Sequence, residues 1–214
     1  MNSATLITAG LILLTSYVGV ARSQDTKAND FSALEPLTRG VFANHYYPSK
    51  HVIGMATDFD GRKSFRLKKG IFQPKYSKEG YMNEPGAFLK SVVFSDLTRD
   101  GKKEAVVTVG IICNCTAVWY GIFVYSMKSG KPDKILWSFH TGDRGVGGLR
   151  SIKSRNSDMV IELYGWNSGP NRPPSSHIEA QAGSSYYTRR KYRWNGKRFY
   201  QLGKARILLT PETE

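Results

Sequence analysis

Apolar and polar side chains alternate at every second position through most of this chain, the period of a strand with one face buried. Lys63 to Phe72, Leu89 to Phe94, Glu104 to Ile112, Ala117 to Met127, Lys134 to Phe139, Gly148 to Lys153, Met159 to Tyr164, Ser185 to Trp194 and Arg198 to Leu202 each predict a strand. Turn signals separate them: Asp100-Gly101, Ser129-Gly130, Gly142-Asp143, Asn156-Ser157 and Asn195-Gly196. Short strands joined in sequence by tight turns predict an antiparallel meander, folded as a sandwich or as a propeller-blade-like sheet. Only Phe31 to Phe42 breaks the pattern. Its apolar residues Phe31, Leu34, Leu37 and Val41 approach helical spacing, and Pro36 limits it to a short helix or turn. The fold class is therefore mainly β, a single domain. One long connection, Gly165 to Gly183, holds Gly169, Pro170, Pro173 and Pro174 and cannot continue a sheet.

The N-terminus follows another rule. Leu6 to Val20 is apolar or weakly polar throughout, shorter than the roughly 20 residues of a membrane span but suited to the apolar region of a signal peptide. Ala21-Arg22-Ser23 places small residues at alternate positions, and a polar run from Asp25 to Asp30 follows. The expectation is a cleavable leader over residues 1–23 and a β-rich domain over 24–214 with a frayed start at 24–30. The mature protein is then extracytoplasmic, periplasmic or secreted, with no integral membrane span. No Cys follows the apolar stretch, so a lipid anchor is not indicated.

The chain carries a formal charge of +14, and since Arg22 is the only charged side chain before residue 24, the remainder carries +13. Such a field draws anionic partners, whether nucleic acid, an acidic wall polymer or glycan, or lipid head groups. It also keeps a protein soluble with no specific partner.

One loop carries a recognisable pattern. Asp96, Thr98, Asp100 and Glu104 space side-chain oxygens at positions 1, 3, 5 and 9, with Gly101 at 6 and the Lys102 carbonyl at 7. Alternate oxygens on a tight turn are how a hard cation is encircled. The segment resembles the short calcium-type loop of FG-GAP and VCBS-like segments, which implies a structural Ca²⁺. It departs from that form at Thr98, and Arg99, Lys102 and Lys103 bring positive charge beside the ion. An ion-free hairpin turning at Asp100-Gly101 is the other reading. From Ser64 to Leu202 the run Leu67-Lys-Lys-Gly70, this loop, Cys113 and Cys115, Gly121 to Tyr125, Gly142-Asp-Arg144 and Tyr192 to Gly196 together resemble a group of exported bacterial proteins of unassigned function. That resemblance implies a fold and a compartment, and no activity.

Cys113 and Cys115 are the only cysteines. Residues i and i+2 of a strand stand near the limit of about 7 Å between Cα atoms for a disulfide, so a bridge needs a bulge or turn at Asn114. Export favours oxidation and strand geometry favours two buried thiols; both stay open. Near the C-terminus, a two-residue turn at Asn195-Gly196 would set Trp194 opposite Lys197, Arg193 opposite Arg198 and Tyr192 opposite Phe199. Tyr192, Trp194 and Phe199 would then share one face. Arg189, Lys191, Arg193 and Arg198 would share the other with Tyr187 and Tyr200, as a candidate anion-binding face.

Catalysis has little support. The chain has no G-x-S-x-G, no H-E-x-x-H and no Gly-rich phosphate loop, and its histidines, His45, His51, His140 and His177, are scattered. Asp58, Asp60 and Gly61 read as a turn rather than as a glycosidase pair. Three functions remain: a binding module for an anionic partner, a hydrolase of envelope or matrix polymers with an unidentified site, and a structural envelope protein.

Overall fold

The computed structural model describes residues 35–49, 62–73, 75–76, 78, 82–112, 118–142, 147–165 and 186–209, all within the unit Ser32–Glu214. The expected leader, Cys113, Cys115, His51, His177, Asp58, Asp60 and nearly all of the long connection lie outside the described residues. Among the described residues, one helix, α1 (Glu35–Ala43), precedes fourteen strands: β1 (Tyr46–Pro48), β2 (Ser64–Arg66), β3 (Ile71–Phe72), β4 (Lys75–Tyr76), β5 (Met82–Glu84), β6 (Gly86–Ser95), β7 (Glu104–Ile112), β8 (Val118–Lys128), β9 (Lys131–His140), β10 (Leu149–Arg155), β11 (Asp158–Tyr164), β12 (Tyr186–Trp194), β13 (Phe199–Gln201) and β14 (Arg206–Leu209). The chain is mainly β and its paired strands run antiparallel.

Two five-stranded sheets carry the structure. The first has the order β3-β6-β7-β8-β9; the second has β10-β11-β12-β13, with β14 also paired to β12. They pack face to face as a sandwich, because strands that alternate can bury one oily face only against another. Val106, Ile122 and Val124 of the first sheet share a core with Leu149, Met159, Ile161, Leu163, Tyr192 and Phe199 of the second. Trp137 of β9 lies 5.0 Å from Tyr192 and 6.1 Å from Phe199, centroid to centroid. Ser95 and Ser154 join the sheets through a 2.5 Å hydroxyl contact.

The first sheet is covered on its other face as well. Ala105, Val107, Val109, Ile111, Phe123 and Tyr125 pack there against Phe42 of α1, Tyr47 of β1, Phe65 of β2 and Leu67. Burial on both faces explains why β7 reads as a continuous apolar run from Ala105 to Ile112 instead of alternating. Gly110 sits opposite Phe88 in this ladder, and a Cβ there would meet the Phe88 ring at 2.3 Å. The glycine leaves the space that the ring occupies.

Local chemistry accounts for most boundaries. Pro36 falls in the first turn of α1, where a missing N–H costs no intrahelical bond. The expected strand Lys63 to Phe72 is broken in two: Lys69 and Gly70 adopt positive φ (53° and 82°), turning the chain so that Lys68 bridges Ile71. β1, β4, β5 and β14, with 2 to 4 residues each, are too short to display a period and are additions to the expected set. Among the described residues, no helix is long and apolar enough to cross a membrane.

Candidate functional site

The second sheet leaves its outer face to solvent, and pairing decides what gathers there. Asn156 and Ser157 both take left-handed backbone (φ 52° and 59°), giving a two-residue turn that sets Arg155 opposite Asp158. β11 then presents Asp158, Val160 and Glu162 outward, because Met159, Ile161 and Leu163 enter the core. On one side stand Lys153 and Arg155 of β10. On the other, β12 aligns Arg189 with Glu162 and Lys191 with Val160. A register shift between Leu149 and Ser151 lets Arg150 reach the same face.

Two buried carboxylates organise these cations. The Asp158 side chain is 1% exposed and accepts two bonds from Arg193, Nε to Oδ1 at 2.6 Å and Nη2 to Oδ2 at 2.9 Å. Lys191 Nζ lies 2.7 Å from Oδ2, and Arg99 Nη2 lies 3.7 Å from Oδ1. Glu162 accepts from Arg150 Nη1 at 2.9 Å, from Ser151 Oγ at 2.7 Å and from Arg189 Nε at 2.9 Å. Tyr187 is wedged among them, with the Arg150 guanidinium 4.0 Å from its ring centroid and that of Arg189 at 6.0 Å. Five cations thus share two anions, and all five keep part of their surface in solvent, from 29% for Arg150 to 52% for Arg99.

The surroundings fix the charge states. The hydrogen bond from Arg193, with Lys191 beside it, outweighs desolvation and holds the Asp158 carboxyl at about 2. For Glu162 burial pushes upward, but bonds from Ser151 and Arg189 and the charges of Arg189 and Arg150 outweigh it and set its pKa below the ordinary value. Each carboxylate in turn strengthens the charge of its partner, raising Arg193 and Arg189. A pair so held is a poor proton donor at neutral pH. Four residues apart on one strand, Asp158 and Glu162 are also separated by about 13 Å, too far for the two carboxyls of a glycosidase.

The candidate anion-binding residues divide. Tyr187, Arg189, Lys191 and Arg193 lie on one face of β12, and Tyr200 joins them opposite Arg193. Arg198 does not. The expected two-residue turn at Asn195-Gly196 is absent: Trp194 pairs with Phe199, Arg193 with Tyr200 and Tyr192 with Gln201. The Asn195 side chain is the cause, since its Oδ1 accepts from Lys197 N at 3.0 Å and Arg198 N at 2.9 Å, closing a four-residue loop. The opposition of Arg193 and Arg198 therefore does not occur, and Asp158 answers the Arg193 charge instead. Tyr192, Trp194 and Phe199 do share the inner face.

The Asp96 loop is stapled by its own residues. Glu104, buried, accepts from Leu97 N at 2.7 Å, Thr98 N at 3.0 Å and Thr98 Oγ1 at 3.0 Å. Asp96 Oδ2 accepts from Gly101 N, and Asp100 Oδ1 from Lys102 N. Arg99, with φ 64°, turns away to reach Asp158. Among the described residues, no three His, Cys, Asp or Glu side chains are grouped to hold a metal. His45 packs edge-on against Tyr47 and Tyr125 at 5.6 and 5.3 Å, and burial lowers its pKa.

Sequence reasoning missed Asp158, Glu162, Arg150, Lys153, Arg155 and Arg99 as members of one face. The alternation of Asp158 and Glu162 with Met159, Ile161 and Leu163 was visible, but which cations they meet depends on register. No family model, no curated protein and no solved structure matches this chain.

Proposed function

We propose that this is an exported binding module that uses the outer face of its second sheet to hold an anionic polymer. The observation that carries the reading is the anchored cation cluster: Arg150, Arg189, Lys191 and Arg193 are held on Asp158 and Glu162 while part of each side chain stays in solvent. Long basic side chains ordinarily lose rotamer freedom when they grip a ligand, and anchoring removes part of that cost beforehand. The excess of cations over carboxylates attracts an anion at long range. The apolar stretch Leu6 to Val20 supports export.

The test uses two charge-reversed variants with the same net charge. Lys153→Glu with Arg155→Glu changes exposed residues of this face; Lys131→Glu with Lys134→Glu changes exposed residues of β9 in the other sheet. On immobilised heparin the first variant elutes at clearly lower salt than the second. Equal elution removes this face from consideration.

A further inference from the structure

Resting on that reading, we infer that the ligand is one extended chain bearing repeated tetrahedral oxyanions and no stackable bases, lying lengthwise over β11 on two rails of cations. The rails follow from register. Arg150, Lys153 and Arg155 flank β11 on the β10 side, and Arg189, Lys191 and Arg193 flank it on the β12 side. Strands two apart stand about 9.5 Å from each other, and outward residues recur about every 6.8 Å along a strand, so the two rows form a strip as wide as one polymer strand. Asp158 and Glu162 of β11 lie buried beneath the head groups that they hold, so the surface offered to a ligand is the cations themselves.

Donor geometry selects the anion. Arg193 and Arg189 commit Nε and Nη2 to the carboxylates, and Arg150 commits Nη1. A planar carboxylate is best held by the two-pronged Nε–Nη2 edge of a guanidinium, which is already taken in Arg189 and Arg193. The donors left over come singly from different residues: Nη1 of Arg193, Nε and Nη2 of Arg150, and the ammonium groups of Lys153 and Lys191. A phosphate or sulfate ester, with several acceptor oxygens splayed tetrahedrally, can take single bonds from several of them. Bases are disfavoured by the aromatic residues of the face. Binding of single-stranded nucleic acid relies on open rings for stacking, and here the Tyr187 ring is buried beneath Arg150. Tyr200, 38% exposed, is a single ring at one end.

Four polymers of matched charge number, measured by competition at fixed ionic strength, test the inference: inorganic polyphosphate, dextran sulfate, polyglutamate and oligo(dT). The expected result is that polyphosphate or dextran sulfate binds at least tenfold more tightly than polyglutamate and more tightly than oligo(dT); whichever leads names the anion, phosphate or sulfate. Lys153→Gln with Arg155→Gln should then lower the slope of log K against log salt by about 1 to 2 for the preferred polymer, as expected when two ion contacts are lost. Polyglutamate binding as tightly as polyphosphate would overturn the choice of tetrahedral anion, and tighter oligo(dT) binding would overturn the exclusion of bases; both leave the binding face standing. Failure to bind any of the four would overturn the binding-module reading itself.

Discussion

Glu104 in the hairpin between β6 and β7 and Asp158 at the start of β11 are both acidic and both buried, yet their surroundings push them in opposite directions. Glu104 is met by neutral donors, two backbone N–H groups and a hydroxyl, and desolvation wins, raising its pKa. Asp158 is met by Arg193, Lys191 and Arg99, and the cations win. The contrast extends to the sheets that carry them. The first sheet is covered on both faces and its buried acid ties down a loop. The second has an open face, and its buried acids organise charge at the surface. A buried carboxylate therefore reports its purpose through the partners it keeps.

The largest effect should come from the doubly covered sheet. Phe123→Ala removes a fully buried ring between Tyr47 and Tyr125, and thermal or denaturant unfolding should register a loss of about 3–5 kcal/mol. Asp158→Asn leaves three cations gathered without their anion. Because those cations are partly solvated, the loss should be about 1–3 kcal/mol rather than the larger figure for a fully buried pair. A neutral result would place the organising role elsewhere.

Glu104 sharpens the comparison by a pair of changes. Glu104→Ala strands the Leu97 and Thr98 N–H groups and should cost about 1–3 kcal/mol. Glu104→Gln keeps an acceptor for them and a donor for Thr98, and should stay within about 1 kcal/mol of the parent. The smallest effect is a matter of pH. Asp158 has its folded pKa at about 2, below its ordinary 3.8, so its contribution is complete above the ordinary value and fades as pH falls toward 2. Glu162 acts in the same direction. Glu104, with a raised pKa, acts in the opposite one and favours the folded state as it gains its proton. Acid unfolding between about pH 4 and pH 2 should accordingly be shallower in Asp158→Asn than in the parent; an unchanged profile would mean that the Asp158 cluster does not govern it.

How much of this was legible beforehand depends on the range of the interaction involved. Strands β7 and β11 could be placed to within a residue or so because the Val- and Ile-rich run of β7 and the spacing of Met159, Ile161 and Leu163 in β11 act locally. The turn at Asn156-Ser157 could be read because left-handed backbone favours Asn. The turn at Asn195 was misread by two residues because one side-chain oxygen caps two backbone N–H groups, a choice that a dipeptide does not reveal. That slip sets Arg198 opposite Asn195 instead of Arg193.

By itself the sequence determined that the described chain is a β structure of sequential antiparallel strands with a strong positive excess, since periodicity and composition are properties of neighbours along the chain. The tertiary structure alone decided that ten of the strands form two five-stranded sheets packed against each other, that Arg99 crosses to Asp158, and that Arg150 and Arg189 meet over Glu162. Those pairings join residues separated by 12 to 59 positions, and register across sheets settles them because a shift of one residue turns every side chain to the opposite face.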